Sequence, residues 1–262
     1  IRGIRVDVLG LSYTALIINV LAGLALFIFG MKLMSDGLEL VAGNRMKSIL
    51  QFFARNRFVA VAAGTVVTAV IQSSSATSVM VIGFVNAGLL NLFQAIGIVL
   101  GADIGTTVTA QIISLNLSML ALPAIIVGAV LFIFSGKKTF RGWGSAILGF
   151  GLLFFGLTMM GNELKQMGTF PTFIRFFSTF DCSPMTDGLM PLTQVIGAFG
   201  IGLLMTVIIQ SSSASIGILL MLSGSGLVNF YTAMPLMLGA NVGTTITAVI
   251  ASIPSNVFGK QV

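Results

Sequence analysis

Gln72-Ser73-Ser74-Ser75 and Gln210-Ser211-Ser212-Ser213 place the same amide and three hydroxyls at two points of one chain. Each run is followed, 29 residues after its Gln, by a second matched run. These are Gly-Ala-Asp-Ile-Gly-Thr-Thr at 101–107 and Gly-Ala-Asn-Val-Gly-Thr-Thr at 239–245, and both pairs are 138 residues apart. Serine directly before an apolar segment is an N-cap, and the first amides of a helix have no partner inside it and carry partial positive charge. Amides and hydroxyls together hold an anion without Lys or Arg. Two such termini facing one point suit a small, highly charged oxyanion.

The second run supplies a different chemistry. Glycines within an apolar span permit unwinding, which frees carbonyl oxygens where a cation is favoured. Asp103, Asn241 and the threonine hydroxyls add hard oxygen ligands suited to alkali or alkaline-earth cations. Seven of the ten residues at 101–110 recur at 239–248. Asp103 breaks the symmetry and is the acid within the long apolar runs, where a carboxylate is expensive and marks a functional position. An anion site without a basic side chain in either polar hairpin needs compensating charge, and a co-bound cation at the neighbouring oxygens provides it.

These polar runs sit in surroundings that only a bilayer explains. Of 262 residues, 56% are apolar and 8% charged, and the mean hydropathy is +1.07. No formal charge occurs over 8–31, 58–102, 104–136, 142–162 or 188–259. The chain reads as one all-α integral membrane unit, 1–262, with room for several spans of about 20 residues and none for a separate soluble domain. The net charge of +6 comes mainly from short connections, where membrane proteins carry it, and not from a nucleic-acid surface. There is no histidine and one cysteine, Cys182. A disulfide within the chain is thereby excluded, and a serine hydrolase lacks its usual base.

The elements follow from length and periodicity. Residues 8–34 read as a span. Asn44 is positioned to cap a separate interfacial helix with Met46, Ile49, Leu50 and Phe53 on its apolar face. The pieces 58–71 and 76–90 are each too short to span, so 58–90 reads as a re-entrant hairpin turning at 72–75. A span broken at 101–105 follows over 92–116, then a span over 119–136 and a basic turn at 137–141. The second copy starts at 142: residues 26–31 resemble 152–157 at an offset of 126. Its hairpin covers 192–226 and its broken span 230–252. Repeat one is thus about 8–136 and repeat two about 142–252. Three crossings separate the two starts, and an odd number inverts the second copy, so the hairpins enter from opposite sides and meet near the midplane.

At these residues the chain resembles the type II sodium–phosphate cotransporter family, whose signature is the paired Gln-Ser-Ser-Ser runs followed by Gly-(Ala/Ser)-Asn-Ile-Gly-Thr. The resemblance covers nearly the whole chain. It implies symport of inorganic phosphate with Na⁺ by alternating access, no enzymatic activity and no cofactor. Phosphate is expected at Ser73, Ser74, Ser75, Ser211, Ser212 and Ser213. The Na⁺ ligands are expected among Gln72, Asp103, Thr106, Thr107, Thr109, Gln210, Asn241, Thr244, Thr245 and Thr247. Asp103 departs from the family's usual Asn. Sulfate or carboxylate transport on the same architecture is the alternative, and a channel lined by the broken spans is a further one. The partners implied are phosphate, Na⁺ and the lipid bilayer; apart from the resemblance, Trp143 and the Phe-rich segment around 170–180 are suited either to anchoring at the membrane interface or to a homodimer contact. Some bacterial relatives add a C-terminal helical regulatory domain, which this chain does not include.

Overall fold

The computed structural model describes residues 2–53, 56–115, 117–185 and 188–253, and every regular element among them is helical. Helix α1 (Arg2–Phe53) is followed by α2 (Arg57–Ile71), α3 (Ser74–Asn86) and α4 (Leu92–Ser114). A 3-10 turn at Leu117–Leu120 leads into α5 (Ala121–Phe134), and α6 (Lys138–Met167) opens the second half. The short α7 (Pro171–Ser178) precedes α8 (Leu192–Ile209), α9 (Ser212–Gly224), α10 (Phe230–Gly243) and α11 (Thr245–Ser252). Six stretches are long and apolar enough to cross a membrane: Thr14–Gly43, Leu92–Ser114, Leu117–Phe134, Lys138–Met167, Leu192–Ile209 and Phe230–Ile250. Their outward faces carry exposed Ile126, Val130, Ile133, Phe93 and Ile208, as a lipid-facing surface requires. At 18 residues, α8 is long enough to span, although its counterpart α2 has only 15.

Glycine sets the packing of the longest helices. Gly23, Gly30 and Gly37 of α1 lie against Gly156, Gly149 and Gly142 of α6, respectively, so the two helices run antiparallel. The spacing of seven keeps each glycine on one stripe of its helix, and the missing side chains let the backbones touch. The seam is self-similar: the offset of 126 carries Gly23 onto Gly149 and Gly30 onto Gly156, so it exchanges the two contacts Gly23–Gly156 and Gly30–Gly149. Phe27, Met31, Met34, Leu153, Phe154 and Met160 fill the core around it.

The helix over 92–114 is continuous, which corrects the expected break at 101–105. The glycines there do different work. A Cβ on Gly101 would collide with the Val61 carbonyl oxygen, and one on Gly105 would lie 2.6 Å from the carbonyl oxygen of Thr65. These residues permit close contact between α4 and α2 and do not unwind the helix. The same contacts recur in the second half, Gly239 against Phe199 and Gly243 against Leu203, each residue displaced by 138. There α10 and α11 are separated by Thr244 alone, whose backbone stays in the helical region (φ −64°, ψ −27°), so no unwound stretch opens at 239–243 either.

A second expectation is also corrected. No separate interfacial helix begins at Asn44, because α1 runs through it to Phe53. The apolar face was read in the right register, but Leu50 is fully buried, with Met46 and Ile49, against the α2–α4 core. Tertiary packing on that face holds the helix together where a cap alone would have ended it. Phe53 itself has no described side chain.

Candidate functional site

The polar runs fold into two matching turns. Gln72 (φ 61°) and Gln210 (φ 57°) are the non-glycine residues with left-handed backbone among those described. This conformation is uncommon outside glycine and concentrates at functional turns. Each Gln ends its helix by donating its backbone N–H, Gln72 to the Thr68 carbonyl at 2.7 Å and Gln210 to the Thr206 carbonyl at 2.6 Å. The next residue then caps the following helix. Ser73 Oγ accepts from the Ala76 N–H at 3.1 Å, and Ser211 Oγ accepts from the Ala214 N–H at 3.2 Å.

A buried hydroxyl relay braces each turn. Thr68 Oγ1 donates to Thr77 Oγ1 (2.9 Å), and Thr77 donates to the Ser73 carbonyl (3.1 Å). In the second turn Thr206 donates to Ser215 Oγ (2.7 Å), which donates to the Ser211 carbonyl (3.1 Å). All four side chains are at most 1% exposed, so each must be paired, and the pairing locks the turn. The sequence reading missed them, although they share the offset of 138 and their hydroxyls lie in apolar segments. Helix α1 braces both turns as well: Ser35 Oγ donates to the Ile71 carbonyl (3.0 Å), and Ser211 Oγ lies 3.8 Å from Met31 Sδ.

The two turns meet. Ser73, Ser74, Ser75, Ser211, Ser212 and Ser213 all line one cavity of about 370 Å³, together with Gln72 and Gln210. Helix α1 adds Ile28, Met31, Ser35 and the exposed Lys32 and Asp36 to the lining. Sequence reading left Lys32 at a span end and found no basic side chain near the serines. That absence holds for the turns themselves but not for the cavity, because helix packing brings α1 across both tips.

A second cavity of about 350 Å³ gathers the other motif. Asp103, Thr106, Thr107, Asn241 and Thr244 line it, from both halves of the chain. Ser212 lines both cavities, so the two adjoin at the N-terminus of α9. The Thr106 hydroxyl donates to the Ala102 carbonyl (3.0 Å), Thr107 to Ile104 (2.7 Å) and Thr244 to Ala240 (3.1 Å). Each keeps its remaining lone-pair capacity for a ligand. Gln72 and Thr109 lie apart from this cavity and bond each other, Thr109 Oγ1 to Gln72 Oε1 at 2.9 Å. Thr245 and Thr247 line neither cavity. Their hydroxyls donate to the Val242 (2.8 Å) and Thr244 (2.7 Å) carbonyls of their own segment.

Comparison with known proteins places the chain in a family. The family described as Na⁺/Pi-cotransporter matches residues 26–162 and 185–259. Protein YqeW of Bacillus subtilis (strain 168) is 31% identical over 254 residues, 96% of this chain and 76% of the relative. The Escherichia coli (strain K12) protein named "Putative inorganic phosphate export protein YjbB" is 30% identical over 246 residues, 94% of this chain. The chain spans 43% of that relative's length. Human sodium-dependent phosphate transport protein 2B is 34% identical over 117 residues, 44% of this chain and 16% of the relative. No solved structure matches the chain to a significant degree. With its polar turns and apolar helices inside the matched segments, the chain belongs to the Na⁺/Pi-cotransporter family and is a multi-pass membrane transport protein, not an enzyme.

Proposed function

We propose that this protein is a sodium-coupled symporter of inorganic phosphate that works by alternating access. Phosphate sits between the two serine turns. The N-termini of α3 and α9 and the hydroxyls of Ser73, Ser74, Ser75, Ser211, Ser212 and Ser213 hold it there. The observation that carries this reading is that all six serines line one cavity. A doubly capped, hydroxyl-rich cavity in an apolar protein is costly unless it holds an anion, and helix N-termini favour one. The Na⁺ ligands are drawn from Gln72, Asp103, Thr106, Thr107, Thr109, Gln210, Asn241, Thr244, Thr245 and Thr247. The cavity that gathers five of these shares Ser212 with the tip cavity, so cation and anion bind as neighbours and offset each other's charge.

The architecture we infer for this cycle is a pair of inverted repeats, each with a re-entrant hairpin. Two observations support it. Two contacts of the glycine seam between antiparallel α1 and α6, Gly23–Gly156 and Gly30–Gly149, map onto each other when the halves are exchanged. Helices α3 and α9 have 13 residues each, about 20 Å, too short to cross a bilayer from turns that lie together. Phosphate in both named groups of relatives, sodium-dependent in one and export in the other, supports the substrate and leaves direction to the gradients.

Radiolabelled phosphate uptake into proteoliposomes tests the proposal. Concentrative uptake under an inward Na⁺ gradient, absent under a matched K⁺ gradient, is expected. Equal uptake under both would remove the sodium coupling. Sulfate or dicarboxylate uptake without phosphate uptake would establish the alternative, a cation-coupled transporter of another small anion.

A further inference from the structure

The serines are duplicated, but the charges beside them are not. Lys32 and Asp36 stand four residues apart on one face of α1, and both line the cavity formed by the two serine turns. At the offset that relates α1 to α6, their counterparts are Thr158 and Asn162, which carry no charge. The cavity therefore has hydroxyls and helix N-termini from both repeats, and one cation and one carboxylate from the first repeat alone. They are the titratable side chains that line it among the described residues.

A carboxylate is a surprising neighbour for an anion. When ionised it can only accept hydrogen bonds, so it repels an oxyanion that has no hydrogen to give. It welcomes one that does. Inorganic phosphate near neutral pH retains at least one proton, whereas sulfate retains none. Their size and tetrahedral shape are otherwise alike, so hydroxyl and amide donors alone discriminate poorly between them. Building on the reading of the serine turns as the phosphate site, we propose that Asp36 accepts the proton of a protonated phosphate oxygen while Lys32 faces an unprotonated one, and that this pair selects phosphate over sulfate. In the unloaded cavity the two opposite charges sum to zero. In the loaded cavity the ammonium group serves the anion. A site built around a hydrogen supplied by the substrate rejects analogues without one far more strongly than pocket shape does.

The test is competition against radiolabelled phosphate uptake by the intact protein in proteoliposomes under a Na⁺ gradient. Arsenate, which keeps a proton, should compete in the wild type, and sulfate in large excess should not. Asp36→Asn replaces an acceptor with a side chain that also donates, so sulfate should become a competitor at a concentration at least about tenfold lower. Asp36→Ser should shift selectivity in the same direction, and it covers the case in which the Asn variant folds poorly. Lys32→Gln should raise the KM for phosphate and arsenate together about tenfold without admitting sulfate, and Lys32→Arg should restore it. Sulfate competing as well as arsenate in the wild type would overturn the proposal. So would phosphate uptake by either Asp36 variant with sulfate exclusion unchanged. Absence of phosphate uptake in the wild type would instead defeat the reading of the serine turns, a separate outcome.

Discussion

Thr109 donates its hydroxyl to Gln72 Oε1 at 2.9 Å, while Thr247, its counterpart 138 residues on, turns its hydroxyl to the Thr244 carbonyl at 2.7 Å. Gln72 is 7% exposed and Thr109 only 2%, whereas Gln210 is exposed. Matched residues of the two halves thus differ in what their side chains bond. In the first half Thr109 of α4 holds the Gln72 side chain, and in the second Thr247 bonds within its own segment.

Removing these two hydroxyls should have unequal effects. Thr109→Val leaves Gln72 Oε1 buried without its donor, at a cost of about 1–3 kcal/mol. Thr247→Val removes only a bond within its own helix and should cost under about 1 kcal/mol. Melting temperatures of the two variants in detergent, without Na⁺, measure the difference. Equal shifts would show that the Thr109–Gln72 bond contributes nothing beyond its repeat-two counterpart.

Ser73 and Ser211 also cap helices, which the other four serines of the turns do not, and substitution should separate the two contributions. Ser73→Ala or Ser211→Ala removes an N-cap and should lower stability by about 1 kcal/mol. The quadruple change Ser74→Ala, Ser75→Ala, Ser212→Ala and Ser213→Ala leaves both caps in place. It should reduce phosphate affinity at least about tenfold, since hydrogen bonds to a charged ligand contribute most. Phosphate titration of uptake, with melting temperature alongside, checks both. Unchanged affinity in the quadruple variant would remove phosphate from the tips.

Asp103 and Asn241 line one cavity from opposite halves of the chain. Asp103→Asn makes that wall symmetric and removes one negative charge. The Na⁺ concentration for half-maximal uptake should rise, by about tenfold if Asp103 contacts the ion directly. An identical Na⁺ titration would leave Asp103 as a solvated wall residue.

Glycine substitutions should follow backbone approach and not helix propensity. Gly101→Ala and Gly239→Ala each place a methyl group against a carbonyl of the neighbouring helix and should prevent normal folding. Gly83→Ala meets nothing within 4 Å and should be neutral or stabilising by up to about 1 kcal/mol. Yield and monodispersity after purification distinguish these outcomes.

The sequence made the duplication, the two turns and the long apolar helices legible, because repeats and hydrophobic runs are local properties. It misplaced what depends on neighbours. Glycines 101 and 105 look alike whether they loosen a helix or admit another against it, and only the carbonyls of Val61 and Thr65 decide. Asn44 has the chemistry of a cap, but the burial of Leu50 keeps α1 continuous. Lys32 lies at the end of the span read over 8–34 and Asp36 just beyond it, and nothing local ties either to the turns until α1 is laid across both. Thr68, Thr77, Thr206 and Ser215 were hidden for a different reason: one hydroxyl in an apolar helix is commonplace, and its partner lies nine residues away across a turn.

The seam of glycines between α1 and α6 has a consequence for ancestry. Because Gly23–Gly156 and Gly30–Gly149 exchange when the halves are swapped, the interface uses one surface twice. Such an isologous contact is what two separate copies of a half-length polypeptide form around a two-fold axis. Fusion of two such halves would leave Lys32, Asp36 and Asp103 free to differ from Thr158, Asn162 and Asn241, and the offset free to grow from 126 at the seam to 138 at the turns.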